Sequence, residues 1–194
     1  MSVHGANRLG SNSLSQCSVW GRITGIEAAE NASKKRTSSS KFTKLAEQEE
    51  KKIFEIADSD GHTSPYEIRD ALHKTMEEHL YVYRNIKGMK KAQKRILELR
   101  KIIGDIYVGD RGSVYNTNLR ETFEIMNLLD LSWVIIEGAL RRHESRGAHV
   151  VVEYPKRDDK RWLKHTIASK SLAGIRFEYV PVKLHGWQPE ERKY

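Results

Sequence analysis

The sequence predicts a mainly α protein: a small helical bundle with a C-terminal β-hairpin. Three observations predict it. Apolar residues recur at spacings of three and four from Leu119 to Leu140, the period of a helix that buries one face. Ser64-Pro65-Tyr66-Glu67 is a helix start, with a capping serine and a proline suited to the first turn. From Leu163 onward the apolar period falls to two, as a half-buried strand requires.

The elements follow in four blocks. Residues 1–30 open with a glycine-punctuated loop, His4-Gly5-Ala6-Asn7-Arg8-Leu9-Gly10, and continue into a short helical pattern with Leu14, Val19, Ile23 and Ile26 on or near one face. Residues 31–41, rich in Ser and Lys, read as a linker or exposed loop. Residues 42–142 are helical. Phe42, Leu45, Ile53 and Ile56 sketch a weak, polar helix. After Ser64, which Glu67 can join in a capping box, Ile68, Leu72, Met76 and Leu80 recur every four residues. Met89, Ala92, Ile96, Leu99 and Ile103 mark the next helix, which Gly104 can end. Leu119, Phe123, Met126, Leu129, Trp133, Ile136 and Leu140 form the longest stripe, expected in the central helix. In the last block, 163–167 and 175–179 alternate apolar with polar around Ser169 to Gly174, a hairpin pattern, and 186–194 read as an extended tail.

Composition excludes several classes. With 38% hydrophobic and 31% charged residues the chain is globular with a heavily charged surface. The net charge of +8 invites a nucleic-acid reading. Lys and Arg alternate with Glu along helices, as in Glu49-Glu50-Lys51-Lys52, which is the pattern of a solvated face. No recognition-helix, zinc-finger or RNA-recognition signature is present, so no nucleic-acid partner is expected. The one cysteine, Cys17, excludes an intrachain disulfide and suits a reducing compartment. No apolar run reaches the ~18–20 residues of a membrane span, and Met1 to Gly10 lacks a signal-peptide core. A cytoplasmic protein, or one peripheral on the cytoplasmic face of a membrane, is expected.

Two segments carry candidate chemistry. Gly5 and Gly10 flank Arg8, and glycines permit unusual dihedrals and close backbone approach. Arg8 offers a permanently charged, planar fork suited to a carboxylate. Asn12-Ser13-Leu14 then opens a helix, placing free backbone N–H groups and a positive dipole end just after the arginine. By itself such a glycine-flanked arginine is more often only a turn. The second segment is Arg141-Arg142-His143-Glu144-Ser145-Arg146-Gly147-Ala148-His149. Basic residues at a helix C-terminus are accounted for by the helix dipole, and two histidines six apart do not share a helical face as metal ligands would.

Together these segments resemble one family. Ser2 through Leu14 resembles the late active-site motif of succinate dehydrogenase and fumarate reductase flavoprotein subunits. Gly21-Arg22 matches the Phe-Gly-Arg that usually follows, with Trp20 in place of the phenylalanine. Arg111-Gly112-Ser113-Val114-Tyr115-Asn116-Thr117-Asn118-Leu119 resembles a helix-start motif of the family, and Arg142 through His149 its Arg-x-Glu-Ser-Arg-Gly-Ala-His, with His143 an insertion or a substitution. Tyr154-Pro155, Arg157-Asp158-Asp159 and Trp162 to Thr166 match a further run, and Glu178-Tyr179-Val180-Pro181-Val182 a late strand, with Val180 in place of arginine.

The resemblance implies that residues 1–30 are a C-terminal remnant of an α/β FAD-binding domain. It also implies that 42–194 are the C-terminal helical domain with hairpin and tail. It implies that Arg8 binds a substrate carboxylate and that Ser13 and Leu14 contact FAD through their backbone; no catalytic residue and no metal ligand is carried over. No Gly-x-Gly-x-x-Gly follows a strand. The chain is therefore expected to be a split, truncated or expressed fragment, inactive alone, that holds FAD only with the missing flavin domain. The implied reaction is oxidation of succinate to fumarate, or the reverse, with electrons passing to an iron–sulfur subunit on a membrane anchor. The implied partners are those subunits, a dicarboxylate and a separate chain carrying the FAD-binding half. Two rival readings are a non-catalytic helical interaction module or gene remnant, and a fragment similar to L-aspartate oxidase.

Overall fold

In the computed structural model, residues 4–6, 8, 10–34, 39–171, 174–186 and 188–190 are described. The chain divides into two compact units, Met1–Asp58 and Ser59–Tyr194.

The first unit holds two helices. α1 (Asn12–Lys34) buries no residue, and Leu14, Val19, Ile23 and Ile26 all face solvent. α2 (Ser39–Ala57) is amphipathic in sequence, yet Phe42, Leu45, Ile53 and Phe54 are also exposed. The stretch read as a linker, 31–41, is helical at both ends, since α1 continues to Lys34 and α2 resumes at Ser39. Its middle, 35–38, lies outside the described residues.

The second unit has its own core. α3 (Pro65–Leu80) starts where Ser64 Oγ accepts from the Tyr66 N–H at 3.3 Å, while the Glu67 N–H bonds the Ser64 carbonyl. The cap is therefore a turn-type serine cap on Tyr66, not the Ser64–Glu67 capping box the sequence suggests. α4 (Ile86–Ile102) is capped by Asn85, whose Oδ1 accepts from the Gly88 N–H at 2.7 Å, and it tightens into a 3-10 turn, Ile103–Asp105, that contains Gly104. α5 (Thr117–Arg141) is capped by Asn116 Oδ1 on the Leu119 N–H at 2.7 Å. These three helices pack on one another around Ile68, Leu72, Met89, Ile96, Leu99, Ile125, Leu129 and Ile136. Each such side chain contributes about 1.5–3 kcal/mol on burial.

The central helix turns a slightly different face inward than its apolar stripe suggests. Its buried line is Thr122, Ile125, Leu129, Ser132, Ile136 and Ala139, at i, i+3 and i+7. Trp133 and Leu140 pack at the edge of that core, and Met126 is exposed. Thr122 and Ser132, the small polar residues on this line, are buried with it, and the Thr122 hydroxyl donates to the Asn118 carbonyl one turn back at 2.9 Å.

Four strands in two pairs complete the unit. β1 (Tyr83–Arg84) pairs in parallel with β2 (Val150–Val151), so the residues after α3 are tied to those after α5. A one-turn helix, α6 (Asp159–Trp162), precedes the hairpin. β3 (Lys164–Ser171) pairs antiparallel with β4 (Gly174–Pro181) in the register Lys164↔Pro181 to Ser171↔Gly174. The strands run further toward the turn than the alternation alone indicates, and 172–173 lie outside the described residues. Of the expected tail, Trp187 and residues 191–194 lie outside the described residues. The result is the mainly α fold with a terminal hairpin that the apolar periods predict.

The loop 59–63 is clamped onto the segment after α4. Gly61 donates to the Ile106 carbonyl at 3.0 Å, and the His62 and Thr63 N–H groups to that of Asp105. A Cβ at Gly61 would lie 2.1 Å from the Asp105 carbonyl oxygen, so only glycine fits.

Candidate functional site

Arg8 stands in the loop before α1, in the Met1–Asp58 unit. Gly5 and Ser11 bracket it with positive φ, 62° and 67°. For Gly5 this costs little; for Ser11 it is a left-handed turn that stops the chain just before the helix. The Ser11 carbonyl then accepts from the Leu14 N–H at 3.1 Å and the Ser15 N–H at 3.5 Å, closing the first turn of α1. The N–H groups of Asn12 and Ser13 precede that closure and have no helical acceptor. No acidic side chain occupies this first turn to compete for them.

Of the residues expected to act here, the Arg8 side chain is exposed, with no hydrogen bond or ion pair to a described residue. Ser13 is half-buried and Leu14 is 76% exposed. Asn7 and Leu9 lie outside the described residues. A shallow cleft of about 260 Å³ opens beside this turn, lined by His4, Asn12, Ser15, Gln16, Val19 and Trp20. His4 reaches across it to bond Gln16 Oε1 through Nε2. Arg8, Ser13 and Leu14 therefore share one end of α1, and an anion there would meet a free guanidinium and open backbone donors.

The second segment, Arg142 to His149, forms a closed charge cluster. Glu144 is 0% exposed. Its Oε1 accepts from Arg142 Nη1 at 2.6 Å and Arg146 Nε at 2.8 Å; its Oε2 accepts from Arg146 Nη2 at 2.8 Å and the Asp158 N–H at 2.9 Å. Burial pushes the Glu144 carboxyl up. The bonds from Arg146, the Asp158 N–H and Arg142 outweigh burial and hold it below the usual glutamate value. Arg142 also donates to the carbonyls of Trp162 and Lys164 at 3.0 and 2.7 Å, fastening the end of α5 to the start of β3. Arg146 spans from Glu144 to Asp159 at 2.6 Å.

The aromatic side chains fill the cluster's flank. His143 stacks on Tyr154 at 4.8 Å and meets Trp162 edge-on, and Trp162 packs against Tyr179 of β4. The helix-dipole account of these basic residues is thus too weak: Arg142 and Arg146 are bound to a buried carboxylate and join three segments. His149, at the end of the run, takes a hydrogen bond on Nδ1 from Arg84 of β1 at 2.9 Å. The sequence carries no local signal for Arg84 or for Gln16, since each acts through a partner distant in the chain.

Comparison with known proteins fits this geometry. Residues 69–194 match the family described as fumarate reductase flavoprotein C-term. The chain is 40% identical over 194 residues to the fumarate reductase flavoprotein subunit of Haemophilus influenzae, covering 99% of this chain and 32% of that protein. It is 38% identical over 189 residues to the succinate dehydrogenase flavoprotein subunit of Rickettsia bellii, covering 95% of this chain and 31% of that one. A solved E. coli quinol fumarate reductase chain superposes with a TM-score of 0.91 at 34% identity, over 97% of this chain and 33% of that chain. The chain thus spans about a third of the length of the curated relatives it matches. With the motifs, the core helices and the hairpin all in common, the chain belongs to the fumarate reductase and succinate dehydrogenase flavoprotein family, in its C-terminal portion.

Proposed function

We propose that this chain supplies the substrate-arginine loop and the C-terminal helical domain of a flavoprotein subunit that interconverts succinate and fumarate. The observation that carries the reading is the exposed Arg8 guanidinium beside the open N-terminal turn of α1. Arg8 binds one carboxylate of the dicarboxylate through two parallel N–H···O bonds, which orients the central C–C bond. Of the two residues expected to contact FAD, Ser13 presents an open backbone N–H beside that of Asn12, whereas the Leu14 N–H is taken by the Ser11 carbonyl. The dipole of α1 favours negative charge at the same place.

These donors fit FAD, because a polar ring edge that gains electron density needs N–H groups and positive potential without a competing carboxylate. FAD, when bound, would supply the two-electron hydride chemistry that interconverts succinate and fumarate. The chain's own part is to hold the substrate carboxylate, set its angle and keep the N-terminal turn open. The adenine- and phosphate-binding parts of a dinucleotide site have no counterpart motif here. FAD binding therefore rests on a separate chain, or further polypeptide, that carries the FAD-binding half.

In this reading electrons pass on to an iron–sulfur subunit held on a membrane anchor, as the family resemblance implies; the likeness to a quinol fumarate reductase chain supports membership of an assembly of that kind. No helix among the described residues is long and apolar enough to cross a membrane; the proposed place, peripheral on the cytoplasmic face, follows from the assembly the family resemblance implies. The +8 net charge suits docking on acidic partner surfaces.

The experiment adds a FAD-bearing polypeptide to the purified chain and measures flavin absorbance and succinate–fumarate turnover. The pair is expected to turn over, the chain alone to be colourless and inactive, and Arg8→Ala in the pair to abolish turnover with the flavin retained. Turnover by the chain with only FAD and dicarboxylate would overturn the reading. The self-contained core of Ser59–Tyr194 favours one alternative, a helical interaction module without catalysis. It predicts a colourless pair that still associates.

A further inference from the structure

We propose that His4 is a positioning residue: through Gln16 it fastens the Arg8 loop to α1 and so sets where the guanidinium meets the substrate carboxylate. The inference rests on the proposed role of Arg8. Four observations carry it.

First, His4 and Gln16 are twelve residues apart and bond directly, His4 Nε2 to Gln16 Oε1. This bond spans the segment that contains Arg8, with one end before the loop and the other in the second turn of the helix. Second, glycines stand on both sides of Arg8. Gly5, directly after His4, has a positive φ and open space where a Cβ would be, and Gly10 has the same open space. Two glycines flanking an arginine give backbone freedom that a substrate clamp has to lose before it binds. A cross-link outside the glycines removes that freedom without touching the substrate.

Third, Gln16 is placed by α1 itself. It lies one helical turn beyond Asn12 on the face that lines the cleft, with Ser15, Val19 and Trp20 around it. The anchor point is therefore as rigid as the helix. Fourth, the other ring nitrogen of His4, Nδ1, is buried and has no hydrogen-bond partner among the described residues. With Gln16 accepting, Nε2 carries the proton and Nδ1 keeps a bare lone pair. A buried acceptor without a donor is uncommon and marks a ring held in place by its one bond and by packing.

The consequence is a division of labour. Arg8 supplies affinity for the carboxylate; the His4–Gln16 bridge supplies pre-organisation. Removing the bridge leaves every donor to the substrate in place but spreads the guanidinium over more positions. The loss appears in substrate binding more than in the chemical step.

The test uses the assembled flavoenzyme that contains this chain, with steady-state fumarate reduction as readout and flavin content as the check on assembly. His4→Ala and Gln16→Leu are each expected to raise KM about three- to tenfold, the range one neutral hydrogen bond controls, with kcat changed less than about twofold. The double variant is expected to be no worse than either single one, because both break the same bond. His4→Gln, which keeps a donor, is expected to recover most of the lost affinity. Additive losses, a loss in kcat at unchanged KM, or wild-type KM in both single variants would each overturn the inference. Should a variant fail to assemble, Gln16→Glu, which keeps the acceptor, must retain wild-type KM or the inference falls. Arg8→Ala separates the two layers. If it leaves KM unchanged, the proposed role of Arg8 fails; if it raises KM while the His4 and Gln16 variants do not, only the positioning role fails.

Discussion

Arg84 of β1 donates to His149 Nδ1 at 2.9 Å, and the opposite nitrogen, Nε2, lies 3.3 Å from the Arg142 carbonyl. An arginine has no lone pair to offer, so Nδ1 must be the acceptor and the proton must sit on Nε2. His149 is thereby fixed as a neutral imidazole between two guanidinium-bearing residues. The contact lies beside the parallel pairing of β1 with β2, where Tyr83 meets Val150 and Arg84 meets Val151. One neutral ring thus helps join the end of α3 to the segment after α5.

That arrangement makes stability depend on pH. Burial pushes the His149 ring below its ordinary value; the bond to the Arg142 carbonyl lifts it, while the charges of Arg84 and Arg142 push it further down and Glu144 lifts it slightly. A ring with a depressed folded-state pKa takes up its proton first in the unfolded chain, so the unfolded state binds more protons as pH falls. The stabilisation is complete above the unfolded histidine value of about 6.5 and is lost as pH falls from there through the folded value. Urea midpoints measured from pH 8 to pH 5 should therefore decline on the acid side, and His149→Gln should flatten that decline. An equal decline in the variant would assign it to other groups.

Glu144 is the group whose removal should cost most. Both its oxygens are fully used, by two arginines and a backbone N–H, and none of its surface reaches water. Replacing one member of a buried charge network strands the others. Glu144→Ala leaves Arg142 and Arg146 without their shared carboxylate and should destabilise the chain by about 3–5 kcal/mol. Chemical denaturation checks the magnitude. Loss of the Trp162–Tyr179 contact, seen in near-ultraviolet circular dichroism, checks that the junction to the hairpin opens. A cost under about 1 kcal/mol, the worth of an exposed pair, would show that the cluster is solvated.

Gly61 gives a steric prediction. Its Cα faces the backbone of Asp105 and Ile106, and the methyl group of an alanine there would sit 2.1 Å from a carbonyl oxygen. Backbone cannot step aside as a flexible side chain can. Gly61→Ala should break the bonds from Gly61 to Ile106 and from His62 to Asp105 and cost about 1–3 kcal/mol. Gly104→Ala, where a Cβ meets open space, is the control and should be near neutral or mildly stabilising. Equal thermal midpoints for the two variants would contradict the close approach.

How much of this was legible in the sequence depends on how local each cause is. The helix starts at Ser64 and before Leu119 are written in adjacent residues, and the hairpin in an alternation of two, so both were readable. The inward face of α5 was readable only to within one position, because Ile125 and Met126 are both apolar and the choice between them is made by α3 and α4. The Glu144 cluster could be seen only as a basic run: a carboxylate's burial depends on Asp158 and Trp162, more than a dozen residues away. Arg84 and His149 are separated by 65 residues, and nothing local to either announces the other. The glycines flanking Arg8 were legible, but the His4–Gln16 bond that spans its loop was not, because its two ends lie twelve residues apart.

The last prediction concerns α1. A helix of 23 residues that buries none of them has little tertiary packing to hold it against fraying. Its exposed Leu14, Val19, Ile23 and Ile26 place four large apolar side chains in solvent along one helix. Arg22 and Lys34 place trypsin sites inside it. At low concentration trypsin should therefore cut at Arg22 and Lys34 well before it cuts within α3, α4 or α5, whose apolar residues form the core. The surviving fragment, starting near Ser59, should still unfold cooperatively. Adding a FAD-bearing polypeptide should slow the early cuts and leave the later ones unchanged, because the cover it provides is specific to the apolar side of α1. Protection of the first thirty residues in the dilute chain alone would show that this helix is stable without any such cover, and the need for a second polypeptide at the Arg8 end would fall with it.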